Sequence, residues 1–193
     1  PLTASVAPVM VGWGVAIGRS EFAAGPALAA LFGAICLQIG ANFANDVFDF
    51  QRGADTSERL GPPRVTQQGI LRPNQMKGGM LVVFALAMLA GVYLVYEAGW
   101  PVIAVGLGSI VGATIYTGGP WPLGYHALGD VFTFSVFGPV AVVGTYFVQT
   151  GEVTGAAWWA SMAMCAVVTM MLVVNNLRHL ETDRTYRKST RLK

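Results

Sequence analysis

Charge is what this sequence has least of. Only 11% of its 193 residues are Asp, Glu, Lys or Arg, whereas a soluble globular domain carries about 25%. Hydrophobic residues make up 54%, and the mean hydropathy is +0.55. These values exclude a water-soluble fold and specify an integral membrane protein. Cysteine is nearly as scarce. Cys36 and Cys165 stand mid-segment among apolar neighbours, in neither disulfide nor metal-ligand spacing, and read as small core fillers. The net charge of +2 gives no reason to expect a nucleic-acid partner. The chain opens Pro1-Leu2-Thr3, without an initiator methionine or a basic leader, so no signal peptide is expected. It reads as one membrane-embedded domain over 1–193, cut from a longer protein at both ends.

Long apolar runs are what the sequence does have. A spanning helix needs about 20 apolar residues. Six segments approach that, at 2–18, 26–47, 78–96, 100–116, 130–148 and 154–177. Glycine and alanine recur in most of them, which permits close helix packing in lipid. The fold expected is an all-α, polytopic transmembrane bundle. Three connecting stretches stand out: 50–77, rich in Arg, Gly, Pro and Gln; the uncharged Gly/Pro-rich 117–129; and the polar 178–193.

Alternating six spans places the connections after the second, fourth and sixth on one face with the N-terminus. That face holds Arg52, Arg59, Arg64, Arg72, Lys77, Arg178, Arg184, Arg187, Lys188, Arg191 and Lys193, which are 11 of the 12 basic residues. Arg19 lies on the other face with Glu21, Glu97 and Glu152. The positive-inside rule assigns the basic face to the cytoplasm.

The second span ends in Asn-Phe-Ala-Asn-Asp-Val-Phe-Asp-Phe-Gln-Arg-Gly-Ala-Asp, residues 42–55. Acidic residues beside hydrocarbon are costly and mark function by default. Asn42, Asn45, Asp46 and Asp49 fall at i, i+3, i+4 and i+7, on one helical face. Carboxylates so placed suit Mg²⁺, which takes one or two of them and shares its other positions with water and substrate phosphate. Asp55, Glu58, Arg59 and Arg64 follow, and arginines bind phosphate oxygens bidentately. The competing reading is a solvated loop after a polar helix end. Against it, Asn42 lies well inside the apolar segment and Gln38 carries the polar stripe deeper.

A second polar cluster, Asn175-Asn176-Leu-Arg-His-Leu-Glu-Thr-Asp-Arg184, ends the sixth span as the first ends the second. Asn176, His179 and Asp183 lie at i, i+3 and i+7. The two clusters either face each other across a cavity or are unrelated capped helix ends. Phe48, Phe50, Tyr116, Tyr125, Phe137, Tyr146 and Phe147 are available either to steady a carbocation or simply to pack. His126 is either a base or an ordinary loop histidine.

With these stretches assembled, the chain resembles the UbiA-type superfamily of membrane prenyltransferases, most closely its 1,4-dihydroxy-2-naphthoate branch in menaquinone biosynthesis. The matching stretches are 44–55, Arg-Val-Thr-Gln-Gln-Gly (64–69), Tyr-Thr-Gly-Gly-Pro-Trp-Pro-Leu-Gly-Tyr (116–125), Leu-Gly-Asp (128–130), Gly-Thr-Tyr-Phe-Val-Gln (144–149) and 175–184. The resemblance implies nine helices around a cavity, of which six are expected here, and two aspartate-rich motifs that bind polyprenyl diphosphate through Mg²⁺. By position, Asn42, Asp46, Asp49 and Asp55 match the first motif, and Arg64 a basic position beside it. Asn176, Arg178 and Asp183 match the second, and Lys188 a basic residue after it. The sequence departs at His179, where the family usually has aspartate, and at Arg187, where it usually has glycine.

The expected metal set is Asp46, Asp49, Asp55 and Asp183, with Asp46, Asp49 and Asp183 catalytic. Substrate contacts are expected from Asn42, Asn45, Arg64, Asn176, Arg178, Lys188, Tyr116 and Tyr146. The expected reaction is prenyl transfer with decarboxylation to 1,4-dihydroxy-2-naphthoate, at the cytoplasmic face of the inner membrane. Two alternatives stay open. One is a same-family enzyme with another acceptor, such as a hydroxybenzoate, homogentisate, chlorophyllide or haem. The other is a polytopic transporter or non-catalytic subunit. A transporter calls for broken helices with polar groups at mid-membrane, whereas polar residues here gather at one face.

Overall fold

Proline and glycine set several helix boundaries. Pro73 and Pro101 each open a helix at a first-turn position where the missing N–H costs nothing. Gly99 (φ 85°) and Gly151 (φ 73°) close helices in a backbone conformation that other residues rarely adopt. The computed structural model describes residues 2–53, 64–125 and 128–178; the side chains of Tyr125, Leu172 and residues 175–178 lie outside that description. Six helices run through it: α1 Leu2–Gly18, α2 Ala24–Gln51, α3 Pro73–Ala98, α4 Pro101–Ile115, α5 Leu128–Thr150 and α6 Gly155–Arg178. A one-turn 3₁₀ helix, Leu123–Tyr125, precedes α5.

All six expected segments are helical. Three of them, α2, α3 and α5, are long and apolar enough to cross a membrane, at 28, 26 and 23 residues. The others are apolar over shorter stretches, 17 residues in α1 and 15 in α4. Two bounds differ from expectation in a way that matters. α2 continues to Gln51, four residues past the expected end at 47, so Asp49 as well as Asp46 stands inside its last turns. α3 starts five residues early, at Pro73, where the Arg72 N–H donates to Gln75 Oε1 at 2.9 Å and fixes the first turn.

α5 is not a uniform helix. Between its α-helical ends, Val136–Val143 is a π-helix around Pro139. Proline offers no N–H, and the wider turn rearranges the ladder near it.

Packing is through small residues. α2 and α3 share the most extensive interface, and at its centre the Phe84 ring fills the space a Cβ on Gly40 would occupy. Ala44, Met80 and Phe84 form a buried cluster there, flanked by Leu37, Phe43, Phe48, Ile110 and Ala113. A second cluster, Val142, Met164 and Val168, joins α5 to α6. A third, Leu94, Val102 and Val148, closes the end of the bundle at the α3–α4 connection. One end of the bundle thus gathers the C-terminal turns of α2, the 64–72 turn and the 116–125 loop. The opposite end gathers the α1–α2, α3–α4 and α5–α6 connections.

Candidate active site

The last turns of α2 present their polar face to the two chain segments that cross over them. Asp46 is 5% exposed and Asp49 is fully buried. Asp46 is held by backbone donors from the 64–69 turn: the Val65 N–H donates to Oδ2 at 3.0 Å and the Thr66 N–H to Oδ1 at 3.1 Å. Hydrogen bonds to a charged acceptor contribute about 1.5–3 kcal/mol each, so this carboxylate both docks the turn and is oriented by it. The turn closes on itself through Gln68 N–H to Arg64 O and Ile70 N–H to Val65 O.

Docking the turn sets the position of Arg64. Its Nη2 lies 3.5 Å from Asp49 Oδ2, with the arginine side chain 17% exposed. One buried carboxylate therefore carries a mostly buried guanidinium as its partner. An arginine fork held in this way still has donors directed elsewhere.

The 116–125 loop meets the same end of α2 from the other side. Thr117 Oγ1 donates to Asn45 Oδ1 at 2.8 Å. Arg52 donates to the Gly119 carbonyl. Gly118 packs so closely on the Phe48 ring that an added Cβ would stand 2.8 Å from it, and 2.6 Å from the Thr114 carbonyl oxygen. Tyr116 caps α4, its ring 6.0 Å from that of Phe132, and its carbonyl accepts the Gly124 N–H at 2.8 Å.

The structure therefore brings together Asn42, Asn45, Asp46 and Asp49 on one helical face, with Arg64 against it and Tyr116 on the neighbouring loop. Asn176 and Arg178 fall in the last turn of α6, their side chains outside the described residues. Asp55, His126, His179, Asp183, Arg187 and Lys188 also lie outside the described residues, and so does the side chain of Tyr125. Sequence reasoning passed over Thr66, Thr117 and the backbone donors of 65–66. The stretches 64–69 and 116–125 were both singled out, but for an arginine and for glycines and aromatics, not for amides or hydroxyls.

Tyr146 is a correction. It was expected to touch substrate, but its hydroxyl donates to Glu21 Oε2 at 2.8 Å, at the opposite end of the bundle. The distance follows from α2 itself: 22 residues separate Ala24, beside Glu21, from Asp46, about 33 Å of helix at 1.5 Å per residue. Burial explains the contact. The Tyr146 ring is fully enclosed by Ala16, Val143 and Ala157, and its hydroxyl needs a partner there. The aromatics Phe137 and Phe147 also serve packing, in the clusters around Val142 and Val148 respectively. Phe48 does reach the loop beside the acids, against Gly118.

Chemically, this end of the bundle offers two buried carboxylates, a docked guanidinium and two asparagine amides. Among the described residues, the ligand atoms it presents to a cation are oxygens. Among the described residues no group of three His, Cys, Asp or Glu converges. A set with one or two carboxylates is what Mg²⁺ takes when phosphate supplies the rest. The hydrogen bonds that orient Asp46 leave further lone pairs on both oxygens, and hydrogen-bonded carboxylates are the ordinary surroundings of a ligated metal. The residues present fit the ion.

Comparison with known proteins agrees with this chemistry. Residues 5–191 match the sequence model of the UbiA prenyltransferase family. A 1,4-dihydroxy-2-naphthoate octaprenyltransferase of Mycobacterium tuberculosis is 39% identical over 187 residues, covering 96% of this chain and 63% of the relative. The protein of the same name from Escherichia coli is 33% identical over 98% of this chain and 63% of its own length. The UbiA prenyltransferase domain-containing protein 1 of Rattus norvegicus is 28% identical over 94% of this chain and 54% of its own. The chain thus spans 53 to 63% of the length of five bacterial relatives that it matches.

Proposed function

The chain belongs to the UbiA prenyltransferase family, and from that premise we propose that it carries the first diphosphate-binding motif of an Mg²⁺-dependent enzyme that transfers a polyprenyl group from polyprenyl diphosphate to 1,4-dihydroxy-2-naphthoate. The observation that carries the proposal is the buried pair Asp46 and Asp49 with Arg64 docked on it, at the end of a membrane-length helix.

Asp46 and Asp49 would hold Mg²⁺, with Asp55 and Asp183 proposed as further ligands. Bound there, the ion supplies positive charge to the leaving diphosphate, a Lewis-acid contribution. Arg64 presents its donor fork to phosphate oxygens, stabilising charge where it develops. Departure of the diphosphate breaks the allylic C–O bond. The ring carbon that bears the carboxylate supplies the electron pair for the new C–C bond, and the carboxylate then leaves as CO₂, its C–C bonding pair restoring the aromatic ring. Water must be kept from the cationic prenyl carbon. The apolar residues beneath the acids, Ala44, Phe48, Met80 and Phe84, serve that purpose.

The charge distribution supports a position for this end of the bundle on the cytoplasmic side of the inner membrane. The names of the bacterial relatives support the naphthoate acceptor over a hydroxybenzoate, homogentisate, chlorophyllide or haem. The experiment is direct. The full-length chain in lipid nanodiscs is incubated with labelled polyprenyl diphosphate and a panel of aromatic acids, with Mg²⁺ or with EDTA. Labelled demethylmenaquinol, recovered as its quinone after oxidation in air, is expected from the naphthoate alone, and none in EDTA. Label on another acid reassigns the acceptor. Transfer that persists in EDTA and in both Asp46→Asn and Asp49→Asn would sink the metal–diphosphate reading.

A further inference from the structure

We infer that Thr117 is a positioning residue for diphosphate binding, acting through the side-chain amide of Asn45. The inference rests on the proposal above that the polar face of α2 binds a diphosphate. Thr117 is 2% exposed, and its hydroxyl donates to Asn45 Oδ1 at 2.8 Å across 72 residues of sequence. A buried hydroxyl needs a partner, and this one is on the helix that carries the acids.

The bond has a directional consequence. The two faces of a side-chain amide are chemically opposite: an oxygen that accepts and a nitrogen that donates twice. With the oxygen committed to Thr117, the nitrogen is turned the other way. Among the described residues the Asn45 amide nitrogen makes no hydrogen bond, and the residue is half-buried. Asn45 lies at i+3 from Asn42 and at i−4 from Asp49, on the stripe that ends in the Asp49–Arg64 pair. Two N–H donors are therefore held, unspent, beside carboxylates that need a cation between them and any phosphate. Donors aimed there recognise phosphate oxygens.

The loop that carries Thr117 is fixed independently of this bond. Gly118 is pressed on Phe48, and Arg52 donates to the Gly119 carbonyl. Losing the Thr117 hydroxyl therefore frees the amide to rotate without releasing the loop. That separates a positioning role from a merely structural one.

The test uses the full-length chain in nanodiscs, with steady-state kinetics in both substrates at saturating Mg²⁺. Thr117→Val keeps volume and β-branching and removes only the hydroxyl. It should raise KM for polyprenyl diphosphate about tenfold, as one misaimed hydrogen bond to a charged group does. KM for the aromatic acid should stay within twofold, and Thr117→Ser should restore the diphosphate KM. In an Asn45→Ala background, Thr117→Val should add nothing, because the residue it acts through is gone. Thr117→Ala gives the same contrast if the valine variant does not accumulate in the membrane. An unchanged diphosphate KM overturns the inference, and so does a penalty that adds fully to that of Asn45→Ala. A defect confined to the aromatic acid overturns it too. Failure of the underlying reading looks different: Asn45→Ala, Asp46→Asn and Asp49→Asn would then all keep the wild-type diphosphate KM.

Discussion

The thiol of Cys165 donates to the backbone carbonyl of Phe134 at 3.3 Å, joining α6 to α5 at the start of the π-helical turn. Phe134 lies five residues before Pro139, so the π-type partner for its carbonyl is a nitrogen without hydrogen. Inside a bilayer no water replaces a missing donor. The cysteine supplies one, and Gly138 makes the approach possible: a Cβ there would stand 1.8 Å from the Cys165 sulfur. Cys165→Ser is expected to keep the bond and melt near wild type in detergent. Cys165→Ala should cost about 1 kcal/mol. Gly138→Ala forces the helices apart and should cost about 1–3 kcal/mol, as overpacking does. A Gly138→Ala protein as stable as wild type would show that the contact is not tight.

Asp46 has two duties, and substitution should expose both. An amide at position 46 keeps one acceptor oxygen and turns an N–H₂ toward a backbone N–H, of Val65 or of Thr66. Asp46→Asn should therefore loosen the 64–69 turn as well as abolish transfer. Limited proteolysis of the purified protein should cut within 64–69 faster in Asp46→Asn than in Asp49→Asn, which leaves both docking bonds in place. Equal cutting rates would limit Asp46 to one duty.

Much of this was legible in the chain. The helices follow from apolar runs near membrane length, and the α2 face follows from helical spacing of Asn42, Asn45, Asp46 and Asp49. What sequence could not show is pairing across long separations. Nothing local says that Val65 and Thr66 offer their amides to Asp46, or that Thr117 reaches Asn45. Backbone donors carry no residue signature, and a threonine among glycines reads as a turn. Tyr146 misled for a related reason. Its type suits a substrate pocket, but membrane depth, which decides which end it serves, depends on where α5 begins and ends.

Glu21 gives the opposite end of the bundle a pH dependence. It lies in the α1–α2 connection, where a hydrogen bond from the Arg19 guanidinium, and then one from the Tyr146 hydroxyl, hold its carboxyl below the usual glutamate range. The folded protein then binds fewer protons than the unfolded chain. The clasp contributes stability above the unfolded value of about 4.3 and loses it as pH falls through the lower folded value. Tyr146→Phe should lower the melting temperature at pH 7, with the difference narrowing steadily below pH 4. A constant difference across that window would assign the effect to packing of the ring, not to the carboxylate.

Arg64 and Asp49 allow stability to be separated from activity. Their charges are 3.5 Å apart, with Asp49 fully buried and Arg64 17% exposed. Breaking a buried pair by removing one partner costs about 3–5 kcal/mol, because it leaves a charge in a poor dielectric. The partial exposure of Arg64 places this pair at or below the lower end of that range. Arg64→Ala is therefore expected to lower the melting temperature, and Asp49→Asn in the same chain should recover part of the loss by removing the stranded charge. Turnover should not follow. Both single variants and the double variant lack a group proposed to act on the diphosphate, so all three should be inactive while their stabilities differ. Arg64→Lys should fall between, keeping a positive charge near Asp49 but losing the planar fork that engages phosphate oxygens in pairs. Its melting temperature should lie closer to wild type than its diphosphate KM does. If turnover instead recovered with stability in the double variant, Arg64 would be a structural counter-ion alone.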